Sequence, residues 1–202
     1  MSAYNPLAWE RVPGFANSFD RYGWVDYRQN VIDWVRSLKP APARLLDVGC
    51  CRGEYLRKLK EEGFAGELLG VDVTPQCVEA ARSAGLDVRQ ADCRMLPFAS
   101  REFDVVLFLN VLMHLPDPAQ ALAEVCRVAG KHLVLSCYGA TEERGVWSRN
   151  TKAFLNTFYP KSAVLSAMPE GWRLAKFETF VNPFGDPVYQ YLFTRRKAGK
   201  GE

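Results

Sequence analysis

The sequence holds little of what a metal site or a disulfide scaffold requires. It has only two histidines, His114 and His132, and none of its six cysteines (at 50, 51, 77, 93, 126 and 137) makes a Cys-x-x-Cys pair. A zinc site of ordinary ligand spacing is therefore not expected, and no residue is assigned to a metal. The adjacent Cys50 and Cys51 cannot close on one another without backbone strain, so a reduced, cytoplasmic setting is expected. Long apolar runs are missing as well. The longest apolar-dominated stretch, residues 105–115, contains Asn110 and His114 and falls short of a membrane span. The start, Met1-Ser2-Ala3-Tyr4, has no basic segment leading into an apolar one, so no secretory leader is expected. There is no charge excess either. The formal net charge is +3, and a nucleic-acid partner is not expected without clustered Lys and Arg.

What is present is the composition of one globular domain: 202 residues, 48% apolar and 24% charged, which excludes wholesale disorder. Short apolar runs alternate with helical ones. Residues 43–48 read as a buried strand, 54–62 as a helix stopped by Gly63, and 68–72 as a second strand. Thr74-Pro75 supplies a cap and a first-turn proline for a helix running to Ser83 and ending at Gly85. Residues 86–90 and 103–109 read as strands three and four, Asp117-Pro118 opens a helix to Val128, and 132–137 is strand five. This alternation implies parallel pairing through right-handed crossovers, and the apolar strands imply burial on both faces.

After Gly139 the rhythm changes. Residues 140–169 read as partly helical, and 172–181 with 188–195 read as an antiparallel hairpin. The fold expected is a single α/β domain over 1–202. Its sheet is Rossmann-like, doubly wound, mostly parallel and seven-stranded, with the C-terminal hairpin at its edge. Residues 1–40 form an arm or lid (1–24) and a helix (25–38), 43–138 the ligand-binding core, and 139–196 a substrate cover and the hairpin.

The chemistry concentrates at strand ends. Between strand one and its helix lies Leu45-Leu46-Asp47-Val48-Gly49-Cys50-Cys51-Arg52-Gly53. At such a turn the backbone approaches a ligand closely and helix-start amides point at it, which glycine permits. Alone, the motif is weak. Asp72, 25 positions beyond Asp47, ends strand two, where an acid can hold ribose hydroxyls; Asp92 follows strand three. Three acids at three successive strand ends face one crevice. Gly49-Cys50-Cys51-Arg52-Gly53 departs from Gly-x-Gly-x-x-Gly, which with the closing hairpin argues against a nicotinamide dehydrogenase.

In these pieces the sequence resembles the class I S-adenosylmethionine (SAM)-dependent methyltransferases, of the methyltransferase type 11 kind. The matching stretches are Leu45 through Gly53, Gly70-Val71-Asp72-Val73-Thr74-Pro75, Ala91-Asp92 with Leu96-Pro97-Phe98, and Phe103-Asp104-Val105-Val106 running into Asn110-Val111-Leu112-Met113-His114-Leu115-Pro116-Asp117-Pro118. They cover about residues 43–138 in the family's order. The resemblance implies a SAM-binding core in which Asp47, Gly49, Cys50, Cys51 and Gly53 shape the methionine end of the pocket. It implies that Asp72, beside Val73, binds the ribose, and that Asp92 meets the adenine amino group with the Cys93 amide nearby. Asn110 and Val111 would line the floor where cofactor and acceptor meet. The expected activity is methyl transfer to a small molecule, apolar or aromatic in character, because Trp147, Phe154, Phe158, Tyr159 and Phe184 fall where the fold builds its substrate cover.

Several positions carry two readings. Asp47 either touches SAM or organises loop amides. Asp72 either binds ribose or caps the next helix, a role Thr74 already offers. His114 and Tyr138 are the general-base candidates, yet Met113-His114-Leu115-Pro116 recurs in the family across unrelated substrates, which favours scaffolding for His114. Cys50 and Cys51 are either reactive thiols near a helix start or small residues in a tight loop. Tyr22, Trp24, Tyr27 and Arg28 either face the sulfonium and carboxylate of SAM or pack the first helix. The family has glycine where Cys51 stands; a glycine-only dihedral there would cost ~1–3 kcal/mol, against about −8 kcal/mol for a micromolar ligand. Cys51 therefore keeps open a SAM-binding sensor or non-catalytic partner subunit. A tRNA or rRNA acceptor is the other alternative, and it would call for a basic face or an RNA-binding extension.

Overall fold

The computed structural model describes residues 29–150, 155–182 and 184–196. The sequence readings for the arm 1–24, for Tyr22, Trp24, Tyr27 and Arg28, and for Phe154 lie outside the described residues. Helix α1 (Gln29–Ser37) precedes β1 (Arg44–Val48), α2 (Glu54–Glu61), β2 (Glu67–Asp72), α3 (Pro75–Ser83), β3 (Val88–Gln90) and β4 (Phe103–Leu109). A 3-10 turn (Leu112–His114) and α4 (Ala119–Val128) lead into β5 (Ala129–Ala140). The remaining elements are β6 (Trp147–Asn150), β7 (Leu155–Pro160), α5 (Lys161–Ala167), β8 (Trp172–Val181) and β9 (Pro187–Arg195).

β3, β2, β1, β4 and β5 run parallel in that spatial order, and β9 with β8 closes the far edge antiparallel. The strands are apolar because both faces are covered. One face packs β-strand side chains under α1, α2 and α3 through Val31, Ile32, Leu56, Leu59 and Val78. The other packs them under α4 and α5 through Leu122, Val125 and Val164. All six cysteines are free thiols. No helix among the described residues is long and apolar enough to cross a membrane.

Among the described residues the sheet holds the seven strands expected, with the C-terminal hairpin at its edge, and two more. The stretch 140–169, read as partly helical, holds α5 as its helical part among the described residues, and the additional pair β6 and β7 fills much of the rest. The reason lies in strand lengths. β5 has 12 residues and β4 only 7, so β5 outruns its neighbour once Leu109 has paired with Ser136. Its bare edge is taken up by β7, parallel, with Tyr138 opposite Phe158, while β6 returns antiparallel to β7. The hairpin thus stands beside the 3-10 turn at the C-terminal end of β4.

Candidate functional site

Parallel strands leave their C-terminal ends open to one side, and the sequence-predicted residues collect there. Beyond β1 the chain turns sharply: the Gly49 and Cys50 amides both donate to the Val71 carbonyl, at 2.8 and 3.0 Å, and the Gly53 amide donates to the Cys50 carbonyl at 2.8 Å. Three residues of this turn are left-handed, Gly49 (φ 76°), Cys51 (φ 49°) and Gly53 (φ 78°). At Gly49 glycine is needed twice over, since a Cβ would also lie 2.3 Å from a Val111 methyl. Cys51 pays the steric cost that the sequence raised as a question, because only glycine takes this conformation freely.

Asp72 is the hub. Its Oδ2 accepts the Cys51 amide at 2.8 Å and its Oδ1 accepts the Thr74 amide at 2.9 Å. Burial pushes its carboxyl above the usual range, and these amides pull the other way. Thr74, read as the cap of α3, makes no side-chain cap bond. The acid organises that turn instead, so the capping and ribose readings of Asp72 are not exclusive. A carboxylate has about four acceptor positions, and the Thr74 hydroxyl and Val73 amide join these two amides in favouring its charged form.

Asp47 is buried at the end of β1, in register with Gly70 and Leu107. Asp92 lies past β3, where the Ala91 amide donates to the Asp72 carbonyl. Its carboxylate is gripped by the Arg94 guanidinium at 2.6 Å and by the Arg94 amide at 2.9 Å, and Arg94 holds it below the usual carboxylate range. Burial pushes the neighbouring Cys93 thiol up to about 12. Asn110 is left-handed (φ 57°) and locked by Ser136: its amide donates to the Ser136 hydroxyl, which donates in turn to Asn110 Oδ1, both at 3.0 Å.

His114 and Tyr138 sit together, their rings edge-on with centroids 6.4 Å apart. His114 Nδ1 lies 2.9 Å from the Leu155 carbonyl, which fixes the proton on Nδ1 of the neutral ring. Burial lowers its pKa to about 4, and burial raises that of Tyr138. Phe158 stacks on Tyr138 and on Trp147, the latter at 4.0 Å, and the Arg144 guanidinium lies 3.7 Å over Trp147. Arg149 of the same hairpin pairs with Asp186 of the β8–β9 turn at 2.9 Å. Tyr159 packs instead in the α4 and α5 core, and Phe184 is exposed on the β8–β9 turn.

Three participants escaped the sequence, Ser136, Cys77 and Arg94; Trp147 and Phe158 were read as substrate cover, but not as stacked residues of a strand pair. Ser136 sits inside an apolar strand, and Cys77 inside a helix 26 positions from Cys51, so nothing local marks either. Arg94, two positions after Asp92, was legible as its ion-pair partner. Among the described residues no group of three His, Cys, Asp or Glu is placed to hold a metal ion.

Acids at two adjacent strand ends, with a side-chain-poor turn beside Asp72, would suit the hydroxyl and amino donors of an adenosyl ligand. Comparison with known proteins agrees. Residues 46–134 match the family model described as a methyltransferase domain. A ubiquinone biosynthesis O-methyltransferase of Hahella chejuensis is 32% identical over 162 residues, covering 75% of this chain and 63% of that protein. The chain thus spans less than two thirds of the length of that relative. Among solved structures, a Burkholderia thailandensis N1-methyltransferase with bound S-adenosylhomocysteine (SAH) superposes with a TM-score of 0.72 at 17% identity, over 95% of this chain and 88% of that one. The cyclase SpnF also gives 0.72 at 17% identity, over 88% and 85%, so the shared fold does not by itself fix a reaction.

Proposed function

We propose that the protein, whose residues 46–134 match the methyltransferase domain model, is a class I SAM-dependent methyltransferase that transfers the methyl group of SAM to a hydroxyl of a small aromatic molecule. The observation that carries this reading is the Asp72 hub, whose two amide bonds hold the β1 turn and the α3 start around one acid. Asp72 and Val73 would hold the ribose, Asp92 and Cys93 the adenine. Asp47, Gly49, Cys50, Cys51 and Gly53 would shape the methionine end, and Asn110 and Val111 the floor. When bound, SAM supplies a methyl group on a sulfonium, a leaving group that needs no protonation.

The chain's own contribution is then alignment, which supplies ~7–11 kcal/mol when an acceptor is held in line. The stacked Trp147, Phe158 and Tyr138 offer a flat apolar wall for an aromatic acceptor. The O-methyltransferase relative supports an oxygen acceptor. His114, with its pKa near 4, is a weak base at neutral pH. We assign it to positioning β7, so the acceptor hydroxyl is one acidic enough to ionise with little help, as phenols are.

The test is transfer of labelled methyl from SAM to a panel of phenols and catechols, with tRNA, rRNA and aliphatic alcohols alongside. Methylation confined to the phenolic panel supports the reading. Methylation of RNA, or SAH binding with no transfer to any acceptor, would replace it with an RNA enzyme or a SAM sensor respectively.

A further inference from the structure

Cys51 is the residue that breaks the pattern of the turn, and the structure gives its side chain a partner. Its sulfur lies 3.1 Å from the sulfur of Cys77 in the first turn of α3, and both residues are buried. Cys50 is not in competition for that partner: its sulfur packs against β2, where a Cβ on Gly70 would lie 2.7 Å from it. The two paired thiols flank Asp72. The Cys51 amide donates to one carboxylate oxygen, and the Thr74 amide, three positions before Cys77, donates to the other. A left-handed cysteine carries a steric cost that glycine avoids, and the contact with Cys77 is what the side chain adds in return.

We propose that Cys51 and Cys77 are an oxidation site, forming an intrachain disulfide with a peroxide, and that the crosslinked protein binds its adenosyl cofactor more weakly than the dithiol. The second half rests on the functional reading above. The chemistry balances as follows. Hydrogen peroxide transfers one oxygen to the first thiol, giving a sulfenic acid, and the other oxygen leaves as water. The second thiol then displaces the hydroxyl from the sulfenic sulfur, the S–S bond forms, and a second water departs. Each sulfur loses one electron and the peroxide gains two. Peroxide is small and uncharged, as entry to a buried pair requires. To bond, the sulfurs close by about 1 Å. That movement draws the β1 turn and α3 together over Asp72 and narrows the approach a ribose needs. The contact with Cys77, and then burial, hold the Cys51 thiol above its ordinary range. Oxidation is therefore slow.

The experiment treats the full-length protein with hydrogen peroxide, maps its peptides without reduction, and titrates SAH into the same sample by calorimetry. The expected result is a Cys51–Cys77 linked peptide and at least a tenfold loss of SAH affinity, both reversed by dithiothreitol. Cys77→Ser is expected to keep the affinity of the dithiol protein after peroxide; should that variant fail to fold, the dithiothreitol reversal in the parent carries the same information. A link to another cysteine, oxidation of Cys51 to sulfinic acid without a link, or a correct link with affinity changed less than twofold would overturn the proposal. If the dithiol protein does not bind SAH at all, the functional reading fails and takes the affinity half with it, while the mapped link still decides whether the pair oxidises.

Discussion

The Cys51 amide donates to Asp72 Oδ2 at 2.8 Å, joining the turn after β1 to the end of β2 through the side chain proposed to hold the ribose. Since the Thr74 amide takes the other oxygen, one carboxylate sets the shape of both walls of the pocket. On the proposed reading, binding and folding are coupled at Asp72.

Asp72→Ala strands two buried amides and is expected to destabilise the protein by about 2–4 kcal/mol while abolishing SAH binding. Asp72→Asn keeps the shape and one acceptor, and should lose less stability. Urea unfolding of both variants checks this. A loss under about 1 kcal/mol for Asp72→Ala would show that the acid is not structural.

Cys51→Gly removes a left-handed side chain, a gain of ~1–2 kcal/mol, but loses a buried thiol and gives the unfolded chain more freedom, ~0.5–1 kcal/mol. Stability should stay within about 1 kcal/mol of the parent, with SAH affinity equal or higher. A tenfold weaker affinity by calorimetry would contradict this account of the turn.

His114 has its pKa lowered from 6.5 to about 4 in the folded protein. A base with a depressed folded pKa gives stability that is complete above its unfolded value and is lost as pH falls from about 6.5 to about 4. A shift of that size corresponds to a loss on the order of 3 kcal/mol. Asp72 works in the opposite sense, since its raised carboxyl pKa means that protonation favours the folded form. His114→Gln should flatten the acid limb between pH 6.5 and 4 in thermal unfolding. As a positioning residue, its loss should raise acceptor KM and leave the pH profile of kcat unmoved; a vanished limb in that profile would make His114 the base.

Variants of Asp92 and Arg94 separate the proposed adenine contact from its ion-pair partner. Asp92→Ala should weaken SAH at least tenfold, about 1.4 kcal/mol. Arg94→Ala, which frees the same carboxylate, should change affinity less than about threefold. Equal losses in the two variants would mean that the ion pair, not the acid, forms the adenine site.

Trp147→Ala removes the outer ring of the stack on Phe158. It should raise the KM of a phenolic acceptor several-fold with SAH affinity unchanged, read from steady-state kinetics and calorimetry. A matching fall in SAH affinity would place the hairpin at the cofactor instead.

The parallel core was legible because its strands are apolar throughout and its helices carry start and stop signals: Pro75 opens α3 and Gly63 and Gly85 follow α2 and α3. The three acids were legible by their strand-end positions. The β6–β7 hairpin was not, because its pairing depends on the overhang of β5 beyond Leu109, a tertiary fact with no local marker. In retrospect the run of β-branched and aromatic residues Thr157-Phe158-Tyr159 points to a buried strand. The Cys51–Cys77 contact was hidden for a similar reason: the two thiols meet only when β2 brings α3 back over the first turn. The cost at Cys51 was anticipated, but its partner was not.

The most direct measurement is calorimetric titration of SAM, SAH and NAD into the dithiol protein, with Asp72→Asn alongside. The account predicts micromolar binding of both adenosyl ligands, none of NAD, and at least a tenfold loss in the variant. A folded protein that binds neither SAM nor SAH would contradict it and make the Asp72 hub a purely structural device.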